Sequence, residues 1–305
     1  MPDNEQLFPG LIDNPVQLTT GRYAAILGLS PSKGARSPVL WNAAFEAAHI
    51  DARMVPMDVG VGRLGDLVSA LKSDPRFLGG AITMPHKQAM LALVDRVEDE
   101  AGRIGAINAL YRDGARLVGA NTDGAGALAE LERLTGGLAG LRAVVMGLGG
   151  AGVAVAAYLA GRVGRLTLVN RTMSKAVDFA RRLGPGVGSA PWPVTAALLA
   201  EADVLVNCTS VGHATTDVTA SPLGPESSHA LAALHGRAVV YDIIYQPAET
   251  TLMAQARARG LVTDNGLGMN LEQAVIAFGK ACPEAISSGA LDRAALRRVM
   301  FQAGK

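Results

Sequence analysis

The chain has 305 residues, 18% of them charged, and a formal net charge of +1. That length suits two domains with a real core in each, and a near-balanced charge with scattered basic residues excludes nucleic acid or an acidic surface as partner. Two distant cysteines form no CxxC, five histidines form no metal-ligand spacing, no apolar run reaches the ~18 residues of a membrane span and the N-terminus lacks a secretion signal, so a metal-free cytoplasmic enzyme is expected.

Residues 1–20 read as an exposed arm or an irregular first segment. Tyr23–Gly28 reads as a strand that enters the loop Leu29-Ser30-Pro31-Ser32-Lys33-Gly34-Ala35-Arg36-Ser37-Pro38. Ser37 before Pro38 predicts an N-cap and a first helical residue, and Leu40, Trp41, Ala44, Phe45 and Ala48 then form a helical apolar stripe. A hydroxyl and helix-start amides at one spot suit an anion. Arg53–Val59 is a second strand, Leu64–Lys72 a helix and Leu78–Thr83 a third strand, which stops at Met84-Pro85-His86-Lys87; a helix Gln88–Asp95 is expected to follow. Such alternation predicts a mostly parallel sheet with functional residues at the C-terminal strand ends, where Lys87 sits. Ala106–Arg112 and Arg116–Gly119 flank the hairpin signal Asp113-Gly114, and Asn121-Thr122-Asp123-Gly124 opens a helix, Ala125–Leu134.

Arg142 to Lys175 has the order strand, glycine turn, helix, strand. Ala143–Met146 is followed by Gly147-Leu148-Gly149-Gly150-Ala151-Gly152, a GxGxxG with the helix Val153–Ala160 and the strand Leu166–Asn170 behind it. Gly147 permits the tight turn, Gly149 the approach of a pyrophosphate and Gly152 close helix packing, while the helix start offers N–H groups to phosphate. The second strand ends in Asn170-Arg171-Thr172, with Lys175 beyond, where an NAD site usually carries an acidic residue. Arg171, Thr172 and Lys175 can instead hold a 2′-phosphate, so NADP(H) is the expected cofactor; a basic cap on a strand end is the alternative. Further along, Ala176–Leu183 and Val194–Ala200 read as helices, Val204–Asn207 and Ala238–Ile243 as strands, and Thr209–His235 as a long loop with a short helix. Thr250–Gly260 is a helix, Leu261–Asp264 a short strand, Gly266–Phe278 a crossing back and Leu291–Phe301 the last helix. The expected fold class is therefore α/β with two domains: residues 1–122 plus 266–305 as a mostly parallel substrate-binding (catalytic) domain, and residues 123–265 as a Rossmann-type NADP-binding domain.

Taken in order, these motifs make the chain resemble the shikimate/quinate dehydrogenase family over nearly its whole length. They are Ser37-Pro38 before an Asn42-bearing helix, Thr83-Met84-Pro85-His86-Lys87, Gly105-Ala106-Ile107-Asn108, Gly119-Ala120-Asn121-Thr122-Asp123-Gly124 and Gly147–Gly152. Asn170-Arg171-Thr172, Asn207-Cys208-Thr209, Asp242-Ile243-Ile244-Tyr245-Gln246-Pro247 and Gly266-Leu267-Gly268-Met269 with Gln273-Ala274 complete the set. The resemblance implies Lys87 and Asp123 as the catalytic pair. Reducing a ketone with hydride builds negative charge on oxygen, and a lysine kept charged by a carboxylate can protonate it. The alternative is a surface lysine and a helix-capping aspartate.

The resemblance further implies that Ser37, Thr83, Asn108, Tyr245 and Gln273 touch substrate, together with Asp123. It also implies that Gly150, Ala151, Thr209 and Gly266 join Gly147, Gly149, Gly152, Asn170, Arg171, Thr172 and Lys175 around NADP(H). A turn role for Asn108, a helix-capping role for Gln273 and a core role for Tyr245 are the alternatives. One departure stands out. The family's S-x-S or S-x-T grip on the substrate carboxylate is here Ala35 and Ser37, with one residue inserted between Gly28 and Pro38; Ser30 or Ser32 could fold back, or Arg36 or Lys33 could pair with the carboxylate. The expected activity is interconversion of 3-dehydroshikimate and shikimate by a monomer or homodimer. A paralogue acting on quinate, aminoshikimate or another cyclic hydroxy acid, and a non-catalytic NADP-binding sensor, are the competing readings.

Overall fold

Strand Arg22–Gly28 is buried from Tyr23 onward and lies between two parallel neighbours, one strand in from the edge of its sheet. In the computed structural model, which describes residues 5–287, 289 and 291–305, alternate residues of that strand enter two different cores. Ala24 and Ile26 join a cluster with Trp41, Phe45 and Phe278, while Tyr23, Ala25 and Leu27 join one with Leu64, Leu67 and Leu71. This is the expected consequence of a period of two in a strand covered on both faces.

In chain order the elements are β1 (Glu5–Gln6), β2 (Gln17–Leu18), β3 (Arg22–Gly28), α1 (Ser37–Ala47), β4 (Ala52–Asp58), α2 (Leu64–Ser73), β5 (Phe77–Ile82), β6 (Arg96–Val97), α3 (Asp99–Ile104), β7 (Ala109–Asp113) and β8 (Arg116–Ala120). There follow α4 (Asp123–Thr135), β9 (Arg142–Met146), α5 (Gly150–Leu159), β10 (Arg165–Val169), α6 (Met173–Leu183), β11 (Val187–Ala190), α7 (Ala196–Ala200), β12 (Val204–Asn207), α8 (Ser227–Ala232), β13 (Val239–Asp242), α9 (Thr251–Ala258) and β14 (Val262–Asn265). Helices α10 (Leu267–Ala281), α11 (Pro283–Ser287) and α12 (Arg293–Ala303) end the chain.

The chain divides into two compact units, one running to Thr122 and resuming at Leu271, the other Asp123–Asn270. The first unit's large sheet has the order β4-β3-β5-β7-β8-β6. Strand β3 runs parallel to β4 and β5, whereas β7 is antiparallel to β5 and also, as the Asp113-Gly114 hairpin requires, to β8. The second unit's sheet is wholly parallel with the order β11-β10-β9-β12-β13-β14. Numbered within that unit the order is 3-2-1-4-5-6, the doubly wound dinucleotide-binding arrangement, which places the ligand crevice where the order reverses, between β9 and β12.

Of the two alternatives for the first segment, the irregular one describes residues 5–20: Leu7, Ile12, Val16 and Leu18 are buried in the α2-side core and β1 pairs with β2, while residues 1–4 lie outside the described residues. Two sequence expectations are corrected. The helix expected at Gln88–Asp95 is a single 3-10 turn, Ala89–Ala92, because the Asp95 N–H already donates to Leu117 and the chain continues into β6 beside β8. Ser37 does not cap α1. The cap position is Arg36, no side chain bonds the first turn, and Ser37 is buried as the first helical residue.

Candidate active site

In the second unit the site begins with glycine. Gly147 has φ +89°, and a Cβ there would stand 2.8 Å from the Thr209 methyl and 2.9 Å from the Cys208 and Thr209 backbone. A Cβ on Gly152 would stand 2.0 Å from the Gly147 carbonyl oxygen. Both glycines are therefore required by close backbone approach at the β9/β12 switch point, whereas a Cβ on Gly149 would meet open space. Gly149 caps α5 in an extended conformation and no side chain bonds the α5 N-terminus, so the amides from Gly150 and Ala151 onward face an accessible turn. Gly147 donates to Val169, and the Asn170 side chain ties the turn to the end of β10. Its oxygen accepts from the Leu148 N–H at 3.1 Å and its nitrogen donates to the Thr172 carbonyl at 3.0 Å. Arg171, Thr172 and Lys175 are exposed beyond it. A backbone cradle that a Cβ would fill, an open helix start and a basic strand end fit a dinucleotide with a 2′-phosphate.

Beside the cradle lies a buried polar network. Asn207 donates to Asp242 at 3.0 Å and accepts from the Thr209 N–H at 3.0 Å and the Thr209 hydroxyl at 2.7 Å. Asp242 also accepts from the Ile244 N–H and from Thr250, whose hydroxyl caps α9 by accepting from Met253. Burial raises the Asp242 carboxyl to about 6, against the lowering effect of the Ile244, Thr250 and Asn207 hydrogen bonds. Burial also pushes the Cys208 thiol far above its usual range, with the Asp242 and Asp123 charges adding to it, so Cys208 is a buried small residue and no thiolate nucleophile. Asp123 is the first residue of α4 and only 4% exposed. Gly124 beside it lies against the Tyr158 ring, which a Cβ would meet at 2.1 Å. Gly266 approaches Ile243 equally closely, holding the Asp242–Pro247 segment that carries the half-buried Tyr245.

In the first unit the side chains do the corresponding work. Asn108 and Gln273, 165 residues apart, come together: Asn108 Nδ2 lies 3.3 Å from Gln273 Oε1 and 3.0 Å from the Thr122 hydroxyl. Thr122 donates its N–H to Asn108 at 2.7 Å and its hydroxyl bonds the Gln273 carbonyl. Nothing in the sequence marks Thr122 apart from its neighbours; its burial between two site candidates is visible only in the fold. Thr83 and Lys87 are half-buried on the turn after β5, where Thr83 donates to Leu27 and the Lys87 carbonyl accepts from Ile107 at 2.7 Å. The loop after β3 carries the residues weighed as replacements for the hydroxyl missing at Ala35. Ser32 is committed to Asp58, through its N–H at 2.9 Å and its hydroxyl at 2.5 Å, and Arg36 donates to the Gly304 carbonyl at 2.6 Å. Ser30 and Lys33 are exposed on the loop.

The family model described as the shikimate dehydrogenase substrate binding domain matches residues 29–110, and that of shikimate / quinate 5-dehydrogenase matches residues 129–221. A shikimate dehydrogenase (NADP(+)) of Symbiobacterium thermophilum is 38% identical over 275 residues, covering 86% of this chain and 91% of that protein. The chain belongs to the shikimate/quinate dehydrogenase family. It is an oxidoreductase of that family, and the sensor reading is not favoured by relatives that are named as enzymes. A Thermus thermophilus shikimate 5-dehydrogenase, solved with NADP(H) and shikimate, superposes with a TM-score of 0.76 at 30% identity over 92% of this chain and 99% of that one. A Corynebacterium glutamicum quinate dehydrogenase solved with NAD gives 0.78 at 26% identity over 92% and 99%. Among the described residues there is no cluster of metal-ligating side chains, and no helix is long and apolar enough to cross a membrane.

Proposed function

We propose that this chain reduces 3-dehydroshikimate to shikimate with NADPH, and runs the reverse oxidation with NADP+. The first unit is assigned substrate binding and catalysis, the second NADP binding. When bound, NADPH supplies the hydride. Gly147, Gly149, Gly150, Ala151 and Gly152 would cradle its pyrophosphate with backbone groups; Arg171, Thr172 and Lys175 would take the 2′-phosphate, and Asn170 would hold the two loops together. Thr209 and Gly266 would line the rest of the cofactor site.

Lys87 and Asp123 are assigned as the catalytic pair. In reduction, the Lys87 ammonium gives a proton to the carbonyl oxygen as negative charge develops there; in oxidation, neutral Lys87 takes the hydroxyl proton. Asn108 and Gln273 are assigned the ring hydroxyls, with Thr83, Tyr245 and Ser37 completing the substrate contacts. The observation that carries this reading is the meeting of Asn108, Thr122 and Gln273 in one buried cluster, since amides paired in this way present fixed donors and acceptors to a polyhydroxylated ring. The enzyme is assigned to the cytoplasm, as a monomer or homodimer.

The test is steady-state kinetics by NADPH absorbance with 3-dehydroshikimate, and of shikimate and quinate oxidation with NADP+ and NAD+. The expected result is a kcat/KM for shikimate with NADP+ at least about tenfold above every other pairing. Preference for quinate or for NAD+ would move the chain to the paralogue reading, which Ala35 favours.

A further inference from the structure

His86 is 1% exposed, and its Nε2 lies 2.8 Å from the carbonyl oxygen of Val59, the residue after β4. Val59 donates its own N–H to Gly28 at the end of β3 at 2.8 Å. The imidazole thus adds one more hydrogen bond where the β3/β4 ladder stops. Because a carbonyl only accepts, the Val59 bond places the ring proton on Nε2 and leaves a lone pair on Nδ1. That Nδ1 is buried and has no partner among the described residues. A buried acceptor left unpaired is costly, and an apolar side chain would fill the same space without it; what the imidazole adds is the bond to Val59.

The residue that follows is Lys87. Its carbonyl is held by Ile107 at 2.7 Å, while the His86 N–H donates to Thr83 and the His86 carbonyl accepts from Met90. We propose that His86 is a positioning residue for Lys87: its side-chain bond to Val59 ties the turn after β5 to the end of β4 and so fixes where the ammonium stands. The proposal rests on the reading of Lys87 as proton donor. A displacement of about 1 Å at a reacting group can reduce turnover roughly a hundredfold, so a single well-placed bond can govern rate without touching substrate.

The test compares His86→Leu, which removes the bond, with His86→Gln, whose amide nitrogen can still donate to Val59. His86→Leu is expected to lower kcat roughly 10- to 100-fold while KM and the NADPH dissociation constant change by less than about threefold, and His86→Gln to recover kcat to within about threefold of wild type. A kcat for His86→Leu within about threefold of wild type, or a His86→Gln as slow as His86→Leu, overturns the proposal. Should the leucine variant fail to fold, nitrogen NMR of histidine-labelled wild type decides, with the His86 signals assigned by their loss in His86→Gln. A ring carrying a proton on Nε2 is expected; a ring protonated at Nδ1 alone overturns it. Lys87→Ala measured in parallel separates the failures. Full activity there removes the proton-donor reading itself, whereas loss there with unchanged His86→Leu removes only the positioning role.

Discussion

The turn after β9 and the turn after β5 each end a strand at the edge of a candidate site, and they are built by opposite means. The first is backbone: glycines that no other residue could replace at those contacts, and a helix start with open amides. The second is side chain: Lys87 on a turn fastened by the His86 imidazole, with the Asn108–Thr122–Gln273 cluster in the same unit. Phosphate is met by repeating N–H groups and demands little else, so the backbone suffices. A ring with several hydroxyls and a reacting carbon needs donors and acceptors at particular points, which only side chains supply.

That contrast can be broken at either turn. Lys87→Ala should lower kcat by about 10²–10⁴, the scale of a general acid, with steady-state assays as the check. A fall of less than about threefold would remove Lys87 from the chemistry. Arg171→Ala should weaken NADPH binding roughly 10- to 150-fold, as for a lost charge-assisted hydrogen bond, and leave NADH nearly unaffected in fluorescence titrations. Equal losses for both would show that no 2′-phosphate is read there. Asp242 sharpens the comparison through pH. Its carboxyl lies at about 6 in the fold, above the ordinary 3.8, so between those values the folded chain holds a proton that the unfolded chain has released. This group's contribution to stability therefore declines as pH rises from about 4 to about 6 and is flat above. Thermal melts of Asp242→Asn should lack that component; an unchanged difference between wild type and variant across the window would contradict it. Ala35→Ser should have the smallest effect, improving KM for shikimate by up to about tenfold through one added hydrogen bond to a carboxylate. No gain would place the carboxylate elsewhere.

The second unit was largely legible in the sequence because its rules are local. The strands β9 and β10, the GxGxxG spacing and the basic end of β10 sit within 34 consecutive residues, whereas the short, half-buried edge strand β11 carries no such signal and was not expected. The first unit was less legible because its decisive contacts are distant. Nothing near residue 108 announces Gln273, and nothing near His86 announces the Val59 carbonyl. Ser37 misled for a local reason. A serine before proline is a good cap by propensity, but the helix starts one residue earlier and buries it. For residues 5–20 the sequence left an exposed arm and an irregular segment as equals, because Leu7, Ile12, Val16 and Leu18 fill a core without any helical or strand period; the irregular segment is what forms.

The most direct test of a backbone cradle that binds and a side-chain turn that reacts is a single-turnover experiment on Lys87→Ala preloaded with NADPH and mixed with 3-dehydroshikimate. The account predicts an NADPH dissociation constant within about threefold of wild type and a reduction step at least about a hundredfold slower. Weakened NADPH binding with an unchanged reduction step would contradict it.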